Sequence, residues 1–350
     1  MQTYSGKSAA GLICLLALTA GCSAGSGGAA DAAPPTPQRP STSSSATASP
    51  SATGTAAAST SYAPYVSATE ASDNDSAGSP ATYNLAFVIS GGSNCTPKWN
   101  GTTALSDSAV KSRISKLKQD GATVRVSFGG ASGKEMAASC DSASELAAAY
   151  GKALDAAGST QADFDIEGDE LTDSDSVDLR SQAIALLQQE RGDLRVSFTL
   201  PVMPSGLDDD GVALLESANQ HDVQVSTVNL MTMNYGESYT GDMGAYALTS
   251  AKAAHTQLKE LFGTSDATAW RAMALTSMLG VNDVDNETFT LDDAAQVREF
   301  AEEKGIGWVS MWATFRDQQC AKGSSGDDDA ATNCSGVNQS SGAFGEAFAG

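Results

Sequence analysis

Histidine is scarce in this 350-residue chain, which has only His221 and His255. Neither lies in a site-like context, which argues against a Ser-His-Asp triad, and both read as surface residues of a helix or loop. No CxxC pair is present, so a zinc site of the usual His/Cys kind is disfavoured and no metal is expected. Basic residues are also few, 20 against 42 acidic ones, for a net charge of −22. That balance disfavours nucleic acid and anionic membrane surfaces as partners. It is compatible with a neutral or cationic polymer, although most of the excess acid reads as solubility. Long apolar runs are missing: the stretch from Ala10 to Ala20 is too short for a comfortable membrane span. No glycine-rich phosphate loop follows an early strand. Gly91-Gly92 and Gly129-Gly130 lack the G-x-G-x-x-G spacing and read as tight turns, and no cofactor is expected.

Residues 1–22 have the build of an export signal, with Lys7 ahead of the apolar stretch and small residues at its end. Leu18-Thr19-Ala20-Gly21-Cys22 resembles a bacterial lipobox, which implies that Cys22 becomes a lipid-bearing N-terminus on the outer face of the membrane. Residues 23–61 are almost entirely Ala, Ser, Thr, Gly and Pro. They lack the large apolar side chains needed to offset chain entropy and read as a disordered linker. The folded region is then expected over 62–350, outside the cytoplasm, tied to the membrane only through the lipid, and monomeric. Four cysteines remain there, an even number that suggests disulfides. Three pairings are open; Cys320 with Cys334 closes a short loop, which leaves Cys95 with Cys140.

Eight short apolar runs follow, at 62–69, 83–89, 123–128, 162–167, 194–200, 225–233, 272–279 and 306–312. Their length and β-branched content fit buried strands. Helix patterns lie between them at 106–120, 142–157, 176–190, 246–262 and 292–304. In the clearest, Ser142 and Glu145 have capping-box spacing, Leu146, Ala149, Tyr150, Ala153, Leu154 and Ala157 share one face, and Gly158 is the stop. Strands alternating with helices imply a parallel sheet, and eight units in about 290 residues suit an α/β (β/α)8 TIM barrel.

The fourth run carries the chemistry. In Ala162-Asp163-Phe164-Asp165-Ile166-Glu167, alternation places the three carboxylates on one face and the apolar residues on the other. In a barrel the acids would project into the lumen, where uncompensated charge costs several kcal/mol each, of order. The row is therefore expected to be functional. Asp163 and Asp165 are expected to share a proton. Glu167, nearest the C-terminal end of the strand, is the expected general acid, its proton held by a carboxylate neighbour.

Asp163-x-Asp165-x-Glu167 resembles the core signature of glycoside hydrolase family 18, the chitinases and their relatives. Ser127-Phe128-Gly129-Gly130 is similar to that family's SxGG motif, Met233-Asn234-Tyr235 to its Met-x-Tyr-like element, and Trp312 to the tryptophan beneath the sugar nearest the cleaved bond. The resemblance spans about residues 61–350. It implies hydrolysis of β-1,4-linked N-acetylglucosamine with retention, in which the substrate's acetamido carbonyl attacks its own anomeric carbon to give an oxazolinium ion. It implies Glu167 as acid and then base, Asp165 on the acetamido N–H, Asp163 tuning Asp165, Tyr235 on the acetamido carbonyl and Trp312 as the sugar platform. Ser127, Gly129, Gly130, Met233 and Asn234 are implied as substrate-binding neighbours. The chain departs from the pattern at Thr160 and Asn234, where acids are usual, and at Gly168 and Gly236. Asn234 and Thr160 keep open an alternative, a glycan-binding barrel without turnover. Trp99 reads either as a further sugar-stacking residue or as a packed aromatic, Trp270 and Trp308 as packing. Asn282 and Asp283 fall on the active-site side of the seventh strand. Asp169, Glu170, Asp173 and Asp175 read as a solvated loop and helix start.

Overall fold

The computed structural model describes residues 59–321 and 333–350. The expected signal, Cys22 and nearly all of the linker lie outside the described residues. The folded unit begins slightly before the expected Tyr62. Thr60 is buried, its hydroxyl donating to the carbonyls of Ala301 (3.0 Å) and Ile306 (2.9 Å), and Ser61 already belongs to a strand.

All eight expected strands are present. They are β1 (Ser61–Tyr62) with β2 (Tyr65–Ser67), β3 (Thr82–Ser90), β6 (Thr123–Gly129), β7 (Gln161–Asp165), β8 (Arg195–Pro201), β9 (Val225–Met231), β10 (Met273–Met278) and β13 (Trp308–Trp312). Neighbours in this order pair in parallel. The first run is split at Ala63-Pro64, where proline has no N–H to give a ladder. Its first half pairs with β13 and its second with β3. The split strand thus closes the ring, and the fold is a (β/α)8 barrel.

The helices are α1 (Ser108–Leu117), α2 (Ala143–Ala157), α3 (Asp169–Thr172), α4 (Ser174–Glu190), α5 (Asp209–Gln220), α6 (Met243–Leu261), α7 (Asp266–Arg271), α8 (Leu291–Lys304) and α9 (Ala343–Ala349). α2 begins as expected: the Ser142 hydroxyl accepts from Glu145 N–H at 3.3 Å, and Gly158 ends it in a left-handed conformation at φ 58°. The Glu145 carboxylate, however, accepts from Asp141 N–H rather than from Ser142. Asp173 caps α4, as a helix-start carboxylate should.

Two short antiparallel excursions decorate the ring: β4 (Pro97–Trp99) with β5 (Thr103–Ala104) after β3, and the hairpin β11 (Gly280–Val281) with β12 (Thr288–Phe289) after β10. Each is braced near a disulfide. Cys95–Cys140 joins the first excursion to the segment before α2, and Cys320–Cys334 closes the C-terminal loop, the pairing expected. Ser335, next to that bridge, accepts from Val281 N–H at 2.7 Å through its carbonyl. A Cβ on Gly280 would run into the same carbonyl, so only glycine permits the contact.

Alternation along the strands sorts the core into two layers. Outward, Phe128, Phe164 and Phe198 stack edge by edge (centroids 5.3 and 5.7 Å apart), and Tyr150 of α2 crosses Phe128 at 4.7 Å. Each such ring contributes about 1.5–3 kcal/mol by burial. Inward, the lumen is polar. At its base the buried Arg125 donates to Asn84 (2.6 Å) and Gln161 (3.2 Å) and lies 4.0 Å over the Trp308 ring. Trp308 and Trp270 are packing residues, as expected. His255 is not on the surface: it is buried on α6 and stacks on Trp270 at 3.8 Å. His221 does lie at the surface, bonded to Asp178 at 2.6 Å.

Candidate active site

Asp163, Asp165 and Glu167 rise along one side of the lumen. Asp163, the deepest, is wholly ringed by hydroxyls. It accepts from Tyr65 (2.9 Å), Ser127 (2.6 Å), Ser197 (2.6 Å) and Thr199 (2.9 Å). The network runs on, since Asn229 donates to Thr199 at 2.9 Å and Thr276 donates to Asn229 at 2.8 Å. Three strands therefore converge directly on one carboxylate, and two more join through Thr199. Ser127 is explained by this contact: it holds Asp163 and does not reach the cleft.

Asp165, one layer up, is buried but not satisfied. Its Oδ1 has no hydrogen-bond partner. Burial, reinforced by the charges of Glu167 and Asp163, pushes its carboxyl well above the usual range, and it donates a hydrogen bond to Glu167. The carboxyl paired with it at the cleft is thus Glu167, whereas Asp163, expected to be that partner, is met by hydroxyls. Glu167 lies just past the end of β7, partly open to the cleft. Its pKa is raised as expected, but the cause is chiefly burial, with Asp283 adding to it. The hydrogen bond from Asp165 works the other way.

A cavity of about 300 Å³ opens above this pair. Its walls include Asp165, Glu167, Met231, Met233, Asn234, Asp283 and Trp312. Trp312, the last residue of β13, stacks on Phe87 at 5.5 Å and 21°, and Tyr65 meets its edge. Together Phe87 and Trp312 make an aromatic platform at the cleft. Phe87 escaped notice in the sequence because the β3–β6 register shifts between Leu85 and Val88, which breaks the alternation that would have assigned its face.

Gly129 and Gly130 build the site without lining it. A Cβ on Gly129 would meet the Asp165 carbonyl, and one on Gly130 would press within 2.7 Å of the Phe87 ring. Both have positive φ, 99° and 88°. Trp99 is wholly buried in β4 and offers no face to a sugar. Tyr235, too, is turned away. It packs on Tyr239 and Tyr246, and its buried hydroxyl faces Ser250 and Thr232 without a hydrogen bond of its own. The reason is local. Asn234 takes a left-handed φ of 54°, so alternation stops there and Tyr235 swings toward α6. The turn is pinned by Glu287, buried under the hairpin, whose carboxylate accepts from Gly236 N–H at 2.8 Å. No spacing in the sequence pointed to Glu287. Asn282 is buried, its amide donating to the carbonyls of Met278 and Gly280, whereas Asp283 is exposed at the rim.

Comparison with known proteins now bears on this geometry. No family model matches the chain. The chain is 34% identical over 275 residues to the "probable bifunctional chitinase/lysozyme" of Escherichia coli (strain K12), across 73% of this chain and 31% of that protein. It is 34% identical over 279 residues to "endochitinase 11" of Metarhizium anisopliae, across 74% and 53%. It thus spans about a third and about half of those relatives' lengths. Among solved structures it is similar to the catalytic domain of a hyperthermophilic chitinase from Pyrococcus furiosus, with TM-score 0.73 and 29% identity, over 82% of this chain and 93% of that one. A GH18 chitinase from Pseudoalteromonas aurantia shares the fold at TM-score 0.54 and 14% identity. These likenesses support glycoside hydrolase family 18 for the chain. Asp163, Asp165 and Glu167 are the row on which the sequence resemblance to that family rests. The buried hydroxyl network beneath Asp165 shows what the row's first member is for: it anchors the strand.

Proposed function

We propose that the protein is a chitinase-like hydrolase of β-1,4-linked N-acetylglucosamine, working with retention and with the substrate as its own nucleophile. The observation that carries this reading is the orphaned Oδ1 of Asp165, buried at the cleft floor beside Glu167. A buried acceptor without a partner is costly, about 1–3 kcal/mol. A sugar whose 2-acetamido N–H reaches into the cleft would satisfy it. The acetamido carbonyl is then aimed at the anomeric carbon, Glu167 protonates the leaving oxygen, and an oxazolinium ion forms. Asp165, released from Glu167, offsets the positive charge on that ion. Glu167, now ionised, draws a proton from the water that opens it. The Trp312–Phe87 platform supplies the apolar face that a pyranose ring needs.

Catalysis is tested by sugar release from chitin oligomers, compared between wild type and Glu167→Gln. Retained activity in the variant would remove Glu167 from its role. The Asn234–Asp283 contact described below leaves a carboxylate at the cleft wall, which favours turnover over a purely binding barrel. On sequence alone, we also propose that the chain is exported, cleaved before Cys22 and lipid-anchored there, with the barrel held out as a monomer on the 23–61 linker. Metabolic labelling with a palmitate analogue in wild type and Cys22→Ser tests this; label retained in the variant would refute it.

A further inference from the structure

Asn234 and Asp283 make two hydrogen bonds with each other. The Asn234 amide donates to Asp283 Oδ2 at 3.3 Å, and its oxygen accepts from Asp283 N–H at 3.1 Å. Both residues line the same cleft as Glu167. Two elements that are distant in sequence are built to bring them together. The turn after β9 holds Asn234 in its left-handed conformation through the Glu287–Gly236 bond. The β11–β12 hairpin holds Asp283. Its base is clamped by Arg316, which donates to the carbonyls of Leu279 (2.9 Å) and Val281 (2.8 Å), and by Ser335 beside the C-terminal disulfide.

The amide at 234 is chemically required by this contact. Asp283 presents a donor (its N–H) and an acceptor (its carboxylate) to one side chain, and the carboxamide answers them with separate atoms, which an ionised carboxylate, having no donor, does not. An aspartate at 234 would set two carboxylates face to face. We propose that Asn234 and Asp283 are one functional unit: the hairpin supplies the cleft's third carboxylate, the strand end grips it, and Asp283 acts as a positioning residue facing Glu167. This deepens the hydrolase reading and rests on it for its meaning, though not for its test. The titratable and charged groups around Glu167 are Asp165, with Asp163 below it on β7, and Asp283 from the hairpin. Behind Asp283 lies the buried Arg316 guanidinium, whose pKa burial lowers to about 10. Asp283's negative charge, at the exposed rim, is the one that meets Glu167 from across the cleft, and it helps hold the Glu167 proton.

The test uses the full chain and reads Glu167 directly, by carboxyl-carbon NMR titration. Asp283→Asn should lower the Glu167 midpoint by about half a pH unit, the order expected for one charge acting across a wet cleft. Asn234→Asp alone should raise it. The exchange Asn234→Asp with Asp283→Asn, which rebuilds the pair in reverse, should bring the midpoint back towards wild type. An unchanged midpoint in Asp283→Asn, or an exchange variant no different from Asp283→Asn, would overturn the proposal. If wild type cleaves chitin oligomers, the alkaline limb of its kcat/KM profile should move with the same midpoints. If it cleaves nothing while the midpoints still move as stated, the hydrolase reading fails and the coupled pair stands.

Discussion

The two ends of the barrel lumen handle buried charge in opposite ways. At the base, Arg125 has amide acceptors on two sides and an indole face beneath it. One layer up, Asp163 has four hydroxyl donors for its two oxygens. At the mouth, Asp165 is equally buried but has one oxygen with no partner, and burial beside Glu167 raises its pKa. Burial alone therefore does not mark a functional group. What sets Asp165 apart is an oxygen without a partner at the floor of the cleft, where a substrate can enter.

Substitutions at the two ends sharpen this contrast. The largest effect is expected for Glu167→Gln, which removes the proton carrier: turnover should fall about 10²–10⁴-fold with the fold intact by circular dichroism. Asp163→Ala should act on stability instead. It strands four buried hydroxyls, and urea denaturation should show a loss of about 2–4 kcal/mol, with activity falling only as the strand loosens. Arg125→Met should cost about 1–3 kcal/mol by leaving Asn84 and Gln161 unpaired, while kcat/KM stays within a few-fold. Trp312→Ala should raise KM about ten-fold or more, whereas Trp99→Phe should alter stability and leave KM alone. A kinetic effect from Arg125 or Trp99 comparable to that of Trp312 would break the division between scaffold and site.

Much of this was legible in the sequence, because strands and helices announce themselves by period. The eight apolar runs became the eight barrel strands, and the alternation in residues 162–167 correctly set the acids inward and Phe164 outward. The failures sit where the period breaks. Phe87 lies at a register shift and Tyr235 just beyond a left-handed residue, so counting by twos misplaced one and missed the other. Asp283 was placed on the active-site side and does line the cleft, but Glu287 belongs to a hairpin held by the distant disulfide loop, and no local pattern encodes that. The partner of Asp165 was misassigned for a related reason. Spacing shows that Asp163 and Asp165 are neighbours, but not that Tyr65, Ser127, Ser197 and Thr199 close over Asp163 from other strands.

The smallest expected effect tests the central claim most directly. In the unfolded chain Asp165 ionises in the ordinary carboxylate range; in the fold it keeps its proton to higher pH. The native state therefore loses stability as pH rises from that ordinary range towards the folded value. Asp165→Asn is free of that loss. Measured by urea denaturation from pH 3 to pH 8, it should match wild type at the acid end and become the more stable of the two as pH rises towards neutrality, while chitin-oligomer turnover drops sharply. A variant that is destabilised throughout, as expected of Asp163→Ala, or one that keeps its turnover, would contradict the account.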